Sequence, residues 1–455
     1  WASTLDQPDV DIVLENIKQN EIHLLESHVF QFDFLNDDFE KLPPKLLKII
    51  QETPEKLIIY INPPYAEAAT AKREGNKFGV SESKVKNRYK HLIGNAINEI
   101  FTQFLARIYM EIPNSKIAEF SKQKALVGPN FTNFRKFFIT KFKKGFIVPA
   151  NTFDNVKGNF PIGFKIWDTY QGSHLKSAKF DIYNKFGIWI GQKNYHDGPD
   201  VRYINSWYNK FYDKDGIEIA VLNTRGNDFQ NQNYIYLSTE NNNNHTNIVT
   251  IDNLIPTVIY ISVRKVIPAS WLNDRDQLLY PNDKWYKDNE FQTNCLTYVL
   301  FNNSNNISCK YGTNHWIPFN EREVDAKDSF ESNFMTNFLT SPNLSYHVQL
   351  TNGKLVNITQ KDPLIFSEQA QAVFSTGREL WKYYHAQPFG AGDYNVNASF
   401  YDIREYFQGR DDKGKMNNTS QDLKYNELLQ KLRLELKLLS NQIEPKIYEY
   451  GFLKE

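Results

Sequence analysis

Asn62-Pro63-Pro64-Tyr65 is the stretch of this 455-residue chain whose residue types and order most constrain chemistry. An amide side-chain oxygen followed by the backbone carbonyl of a proline presents two hydrogen-bond acceptors side by side. Such a pair suits an exocyclic amine conjugated to an aromatic ring, as in adenine N6. That nitrogen is a poor nucleophile because its lone pair is delocalised into the ring. Holding both of its hydrogens favours a tetrahedral nitrogen and aims the lone pair at an electrophile, and the bonds strengthen as positive charge develops in the transition state. Two successive prolines fix φ and restrict the residue before each, which holds the carbonyl in place. Tyr65 adds a flat face for stacking, which offsets part of the few kcal/mol needed to extrude a base from a duplex. A proline turn that merely ends a strand is the plain alternative; the combination of strand, Asn, two prolines and an aromatic weighs against it.

The elements that must position this tetrapeptide are legible around it. Leu57-Ile58-Ile59-Tyr60-Ile61 is a continuous apolar run, which predicts a buried parallel strand stopped by the prolines. A second strand is predicted from Val29 to Phe34, ending near Asp33. Apolar residues recur at helical spacing between Leu92 and Ile112, which predicts one helix packed on the sheet. Phe146-Ile147-Val148-Pro149 and Ile162-Gly163-Phe164-Lys165-Ile166-Trp167 predict a hairpin across Asn155 to Asn159. The expected fold class is therefore α/β over residues 1–172. A mixed, aromatic-rich region is expected over 173–362 and a helical one over 363–455. In the last, Leu428, Leu432, Leu436 and Leu439 form a helical stripe with Thr419 or Ser420 as caps and a stop before Pro445.

The tetrapeptide after its strand resembles motif IV of the class I Rossmann-like amino-methyltransferases, in particular the adenine-N6 DNA methyltransferases of bacterial restriction-modification systems. That resemblance implies a Rossmann-like catalytic domain, S-adenosylmethionine as cofactor and double-stranded DNA as partner. It gives Asn62, Pro63, Pro64 and Tyr65 catalytic roles and sets Pro64 against the cofactor as well. Gln31-Phe32-Asp33-Phe34-Leu35 resembles motif III, so Asp33 is implied to accept a hydrogen bond from the cofactor's adenine amine and Phe34 to pack on its ring. Ser3-Thr4-Leu5-Asp6-Gln7-Pro8 resembles motif II, whose acid holds the ribose hydroxyls; either Thr4 or Asp6 takes that role. An ordinary strand-end carboxylate at Asp33 and a helix cap at Asp6 are the plain alternatives. The Gly-rich loop of motif I, expected just upstream, is not in the sequence. The chain starts at Trp1 and is expected to begin inside a longer protein, N-terminally incomplete as a methyltransferase domain. Residues Asn151 to Phe164 resemble the late motifs bordering the target-base pocket, with Phe160 as a second stacking face and Phe164 behind it; a core position is the alternative for both.

Charge supports a polyanionic partner locally although the chain is neutral overall. Residues 1–60 carry 12 acidic and 5 basic side chains, whereas 72–144 carry 16 basic and 5 acidic. Lys72, Arg73, Lys84, Lys86 and Arg88 follow the motif with Gly75 and Gly79 among them, a composition suited to phosphate contacts with counterion release. A solvated loop would also be lysine-rich. The region after 172 is then expected to recognise the target sequence.

Only Cys295 and Cys309 are present, without metal-ligand spacing, which argues against a disulfide framework or a zinc site and fits a reducing cytoplasm. No apolar run reaches about 18 residues, so no membrane span is expected. Relatives fuse a nuclease or pair with a restriction subunit. Pro199-Asp200 followed by Glu218-Ile219-Ala220 puts Ala where a nuclease motif needs Lys, so any nuclease is expected upstream of Trp1. A methyltransferase of an RNA base or of a protein glutamine amide, or an inactive methyltransferase-like DNA-binding module, are the competing readings.

Overall fold

The computed structural model describes residues 1–19, 23–63, 82–153, 156, 158–170, 172–196, 201–213, 215–240, 245–390 and 392–454. Pro64, Tyr65, Lys72, Arg73 and the Pro199-Asp200 pair lie outside them. The chain divides into two units, one comprising Trp1–Val201 with Ser270–Arg275, the other Arg202–Ala269 with Asp276–Lys454.

In the first unit the order is β1 (Ala2–Thr4), α1 (Gln7–Lys18), β2 (Val29–Gln31), α2 (Pro44–Glu52), β3 (Ile58–Ile61), α3 (Lys84–Ile93), α4 (Ile100–Glu111), β4 (Lys116–Lys122), α5 (Lys124–Val127) and α6 (Thr132–Phe137). β5 (Lys141–Pro149), β6 (Pro161–Asp168), β7 (Ser177–Tyr183) and β8 (Trp189–His196) complete it. β1 and β2 form a parallel pair, and the other six strands form a mixed sheet in the order β3-β4-β6-β5-β7-β8. β3 runs parallel to β4, and the expected hairpin is present as β5 and β6, antiparallel with Pro149 opposite Pro161.

The register sorts the side chains onto two faces. Ile59 lies beside Ile117, and Ile117 beside Trp167, on the face covered by the helices. There Ile93, Ile97, Phe101, Leu105 and Ile108 complete a core of buried apolar side chains. The alternate positions form an aromatic row: Tyr60 meets Phe120, Phe120 meets Phe164, Phe164 meets Phe146, and Phe146 meets Tyr183, with ring centroids 4.9–6.5 Å apart.

The single helix predicted between Leu92 and Ile112 is instead two helices joined by a 3-10 turn over Gly94–Asn98. Gly94 adopts a left-handed φ of +58°, which only glycine takes without strain, and its N–H closes α3 on the Lys90 carbonyl. The first turn of α4 then satisfies the freed carbonyls: Thr102 donates to Ala96 and the Gln103 amide to Ile97.

The second unit contains α7 (Ile204–Tyr208), β9 (Ala220–Asn223), β10 (Tyr236–Ser238), β11 (Thr246–Val249), α8 (Leu254–Lys265), α9 (Asn289–Phe301), β12 (Asn305–Asn306) and α10 (Phe334–Thr340). It continues with β13 (Leu344–Gln349), β14 (Leu355–Gln360), α11 (Glu368–His385), α12 (Phe400–Gln408) and α13 (Leu423–Glu449). α8 and α9 are buried nearly all round, and Trp207, Trp285, Trp316 and Trp381 sit in the core they organise. The unit boundaries differ from those expected at 172 and 362 for two reasons. β7 pairs with β5, which carries the first unit past 172, and the helices after 362 share one core with α8 and α9.

The last helix also departs from its expected ends. It is capped by Asp422, whose carboxylate accepts from the Tyr425 N–H, while the Ser420 hydroxyl is used on the Phe407 carbonyl. It runs through Pro445 to Glu449, because Ile443 and Ile447 are both buried and hold the final turns in place against the lost hydrogen bond.

Candidate active site

Thr4 and Asp33 lie at or just beyond the carboxyl ends of the parallel β1–β2 pair, and Asn62 just beyond the carboxyl end of β3 in the six-stranded sheet; α/β sheets bind ligands at such ends. Asn62 follows β3 directly and is exposed, while Pro63 beside it is buried. Thr4 ends β1 and Asp6 stands at the N-cap position just before α1, while Asp33 and Phe34 follow β2; the register Thr4 opposite Gln31 places these two strand ends side by side.

Asp33 organises its own turn. Its carboxylate accepts from the N–H groups of Leu35 and Asn36 at 2.9 and 3.1 Å and from the Asn36 amide at 2.8 Å. A carboxylate has about four lone-pair directions, so a further donor can still be accepted. Asp37 closes the turn by accepting from the Asp33 N–H at 2.9 Å. The hydrogen bond from Lys41, with that from Asp33, holds the Asp37 carboxyl below its usual range. Phe34 is half-buried and stacks on Phe104 at 5.1 Å. The Thr4 hydroxyl donates to the Asp6 carbonyl at 2.9 Å, and the exposed Asp6 carboxylate makes no cap bond to α1.

Arg107 ties this turn to α4. Its guanidinium donates to the carbonyls of Phe34 and Asp37 at 2.5 and 2.8 Å and to Glu111 at 3.0 Å, and lies 4.3 Å from the Phe39 ring centroid. Only 4% of the side chain is exposed, so these charge-assisted bonds act away from water. Arg107→Ala is expected to lower stability by about 2–3 kcal/mol, and Arg107→Lys to recover little because the planar fork is lost. Urea unfolding measures the first effect. Faster hydrogen exchange at Leu35 and Asn36 would show that the turn itself is loosened, and unchanged exchange there would contradict the clamp.

The remaining sequence candidates are distributed as follows. Lys84 begins α3 and lies 3.4 Å from Asp38, Arg88 lies 2.9 Å from Glu111, and Lys86 lies 3.9 Å from Glu82. Of these only Lys84–Asp38 is exposed on both sides, a kind of pair worth about 0–1 kcal/mol, whereas Lys86 and Glu111 are largely covered. Phe160 is half-buried, with the Arg275 guanidinium 5.8 Å from its ring. Phe164 stands in the aromatic row on β6. Pro64, Tyr65, Lys72 and Arg73 fall outside the described residues.

Three features were not singled out from the sequence: Arg107, the pair Glu119–Lys165, and Glu99, which holds Lys122 and Lys124 at the end of β4. A lysine inside the apolar run Phe164-Lys165-Ile166-Trp167 was the available signal for the second. Arg107 and Glu99 carry no comparable local signal.

No protein-family model and no curated protein matches the chain. The solved structures it resembles include restriction-modification methyltransferases. One is the methyltransferase subunit of a type I system from Streptococcus thermophilus, 18% identical, with 40% of this chain and 35% of that one covered at a TM-score of 0.26. The type I M protein EcoKI is 14% identical, with coverage of 40% and 35% and a TM-score of 0.27. The ATP-dependent type ISP restriction-modification enzyme LlaBIII, solved bound to DNA, is 12% identical over 100% of this chain and 42% of its own at 0.32. This chain thus spans less than half the length of each of these proteins.

Among the described residues no helix is long and apolar enough to cross a membrane, and no group of His, Cys, Asp and Glu is arranged to hold a metal ion.

Proposed function

We propose that this chain is part of an S-adenosylmethionine-dependent methyltransferase that modifies N6 of adenine in duplex DNA, within a restriction-modification system. The observation that carries the proposal is Asn62-Pro63 at the carboxyl end of β3, the amide exposed and the prolyl ring buried. β1 and β2, and β3 and β4, are parallel pairs whose carboxyl ends bear the motif residues, which supports reading the first unit as a Rossmann-like domain.

The residues present suit the cofactor in part. Asp33 retains acceptor capacity for an adenine amine, and the exposed Asp6 carboxylate is a better acceptor for ribose hydroxyls than Thr4, whose hydroxyl is already donated. When bound, S-adenosylmethionine supplies an electrophilic methyl group. The chain's own part is to hold the acceptor. The Asn62 side-chain oxygen and the Pro63 carbonyl accept the two amine hydrogens, Tyr65 stacks on the extruded base and Phe160 offers a second face. Lys72, Arg73, Lys84, Lys86 and Arg88 contact phosphates.

The test is incubation of the full chain with duplex DNA and tritiated S-adenosylmethionine, followed by nucleoside analysis. Label in N6-methyl-2′-deoxyadenosine is expected. Label only in RNA or in protein glutamine, or duplex binding without any transfer, would replace this reading by one of its competitors.

A further inference from the structure

In the second unit a cavity of about 300 Å³ opens between the ends of α8 and α9, the start of α12 and the middle of α13. Its apolar part is made by buried side chains, among them Phe301, Phe400, Leu432 and Leu436. Its charged part is wholly cationic: Lys265, Arg433 and Lys437 line it, and no carboxylate does. Arg433 and Lys437 lie four residues apart on the α13 face that also carries Leu432 and Leu436, so helical spacing brings both charges over the apolar surface.

A fourth cation lies behind them. Arg404 is one turn beyond Phe400, with its guanidinium 5.6 Å from that ring, is only 9% exposed, and has an Nε with no hydrogen-bond partner. Burial, and beyond it the charge of Arg433, hold its pKa below the usual arginine value. Lys265 donates to the Gln232 carbonyl at 2.6 Å, and burial together with Arg264 lowers its pKa to about 8. Among the described residues none of these four cations forms an ion pair. Burial and the like charge of Arg433 both raise the free energy of the Arg404 guanidinium, and an anion bound beside them would relieve that.

We propose that this cavity binds a phosphorylated organic molecule of mononucleotide size, its phosphate held by Lys265, Arg433 and Lys437 and its flat body lying on the apolar side. The volume is at the lower end of small-molecule pockets, about 300–1,000 Å³, and the mixture of apolar walls with a few convergent polar groups is the usual one for them. The exposed Asn303 adds an amide group able to meet the edge of a base, while the Asn302 oxygen is taken by the Ser304 N–H. A DNA backbone fits less well, because it presents a row of phosphates along an extended path whereas these cations converge on one recess.

Calorimetric titration of the full chain tests this with adenosine monophosphate, guanosine monophosphate, adenosine, inorganic phosphate and a short DNA duplex. At least one nucleotide is expected to bind about tenfold or more tightly than both adenosine and inorganic phosphate. The double substitution Arg433→Gln with Lys437→Gln is expected to weaken that nucleotide by about tenfold or more while circular dichroism and the urea midpoint stay unchanged. Both residues are exposed, so folding should tolerate the change. The proposal is overturned if neither nucleotide surpasses inorganic phosphate, or if the double variant binds the nucleotide as the parent does, which would place that binding elsewhere. It is also overturned if only duplex binding responds to the substitutions. None of these outcomes bears on methyl transfer, which is read separately.

Discussion

Asn62→Ala is expected to abolish methyl transfer to DNA while duplex affinity is retained. Under the proposed reading the Asn62 oxygen is one of two acceptors that hold the target amine, and its bond strengthens as positive charge grows on nitrogen. Removal of a single preorganised group aimed at transition-state charge lowers kcat by about a hundred- to a thousandfold, and here half of the pair is lost. Affinity should survive because the phosphate contacts assigned to Lys84, Lys86 and Arg88 lie elsewhere, on α3. Asn62→Gln sharpens the test. It keeps the amide but displaces its oxygen by one methylene, and a misplacement of about 1 Å can cost about a hundredfold. Single-turnover transfer and a gel shift on the same preparations read the two quantities. Transfer at the parent rate in Asn62→Ala would remove the amide from the mechanism.

Local patterns made much of this framework legible and left its junctions hidden. β3 was readable as a strand because a β-branched run ends in two prolines, but it is not the buried strand expected: it is the edge of its sheet, with Ile58 and Tyr60 exposed, a neighbourhood no local run encodes. The β5–β6 hairpin was readable because two apolar runs flank a turn-rich segment. The break at Gly94 was not, since Ile93, Ala96, Ile97 and Ile100 keep helical spacing on both sides of it and all remain buried. Only the left-handed backbone at Gly94 and the polar hands of Thr102 and Gln103 reveal the interruption. Pro445 misled in the opposite sense, because burial of Ile443 and Ile447 outweighs a local rule. At the site, spacing located the strand ends but not what braces them. Arg107 reaches the Phe34 carbonyl from 73 positions away, a relation created by the packing of α4 and absent from any local pattern.

Replacing Lys165 or Glu119 singly is expected to give the largest losses of stability in the first unit. The two face each other across β4 and β6, 3.2 Å apart, and each side chain is 1% exposed. Lys165 also donates to the Ser121 hydroxyl at 2.8 Å and to the carbonyls of Ser121 and Gly163 at 3.2 and 3.3 Å, while Glu119 accepts from the Trp167 indole at 3.2 Å. Lys165→Met leaves a buried carboxylate with one neutral donor, and Glu119→Leu leaves a buried ammonium with neutral acceptors. Each is expected to cost about 3–5 kcal/mol, whereas the double replacement, which removes both charges from an apolar setting, should lie near the parent stability or above it. pH gives an independent reading. Burial holds the Lys165 ammonium below its ordinary pKa of 10.5, with Glu119 opposing the shift. The unfolded chain therefore binds that proton more tightly, so this group contributes stability that rises as pH climbs from the folded-state pKa towards 10.5 and levels off above it. Urea unfolding of the parent, both single variants and the double variant across alkaline pH measures all of this. Additive losses in the double variant, or a pH slope that persists unchanged in Lys165→Met, would show that the two charges act independently of each other.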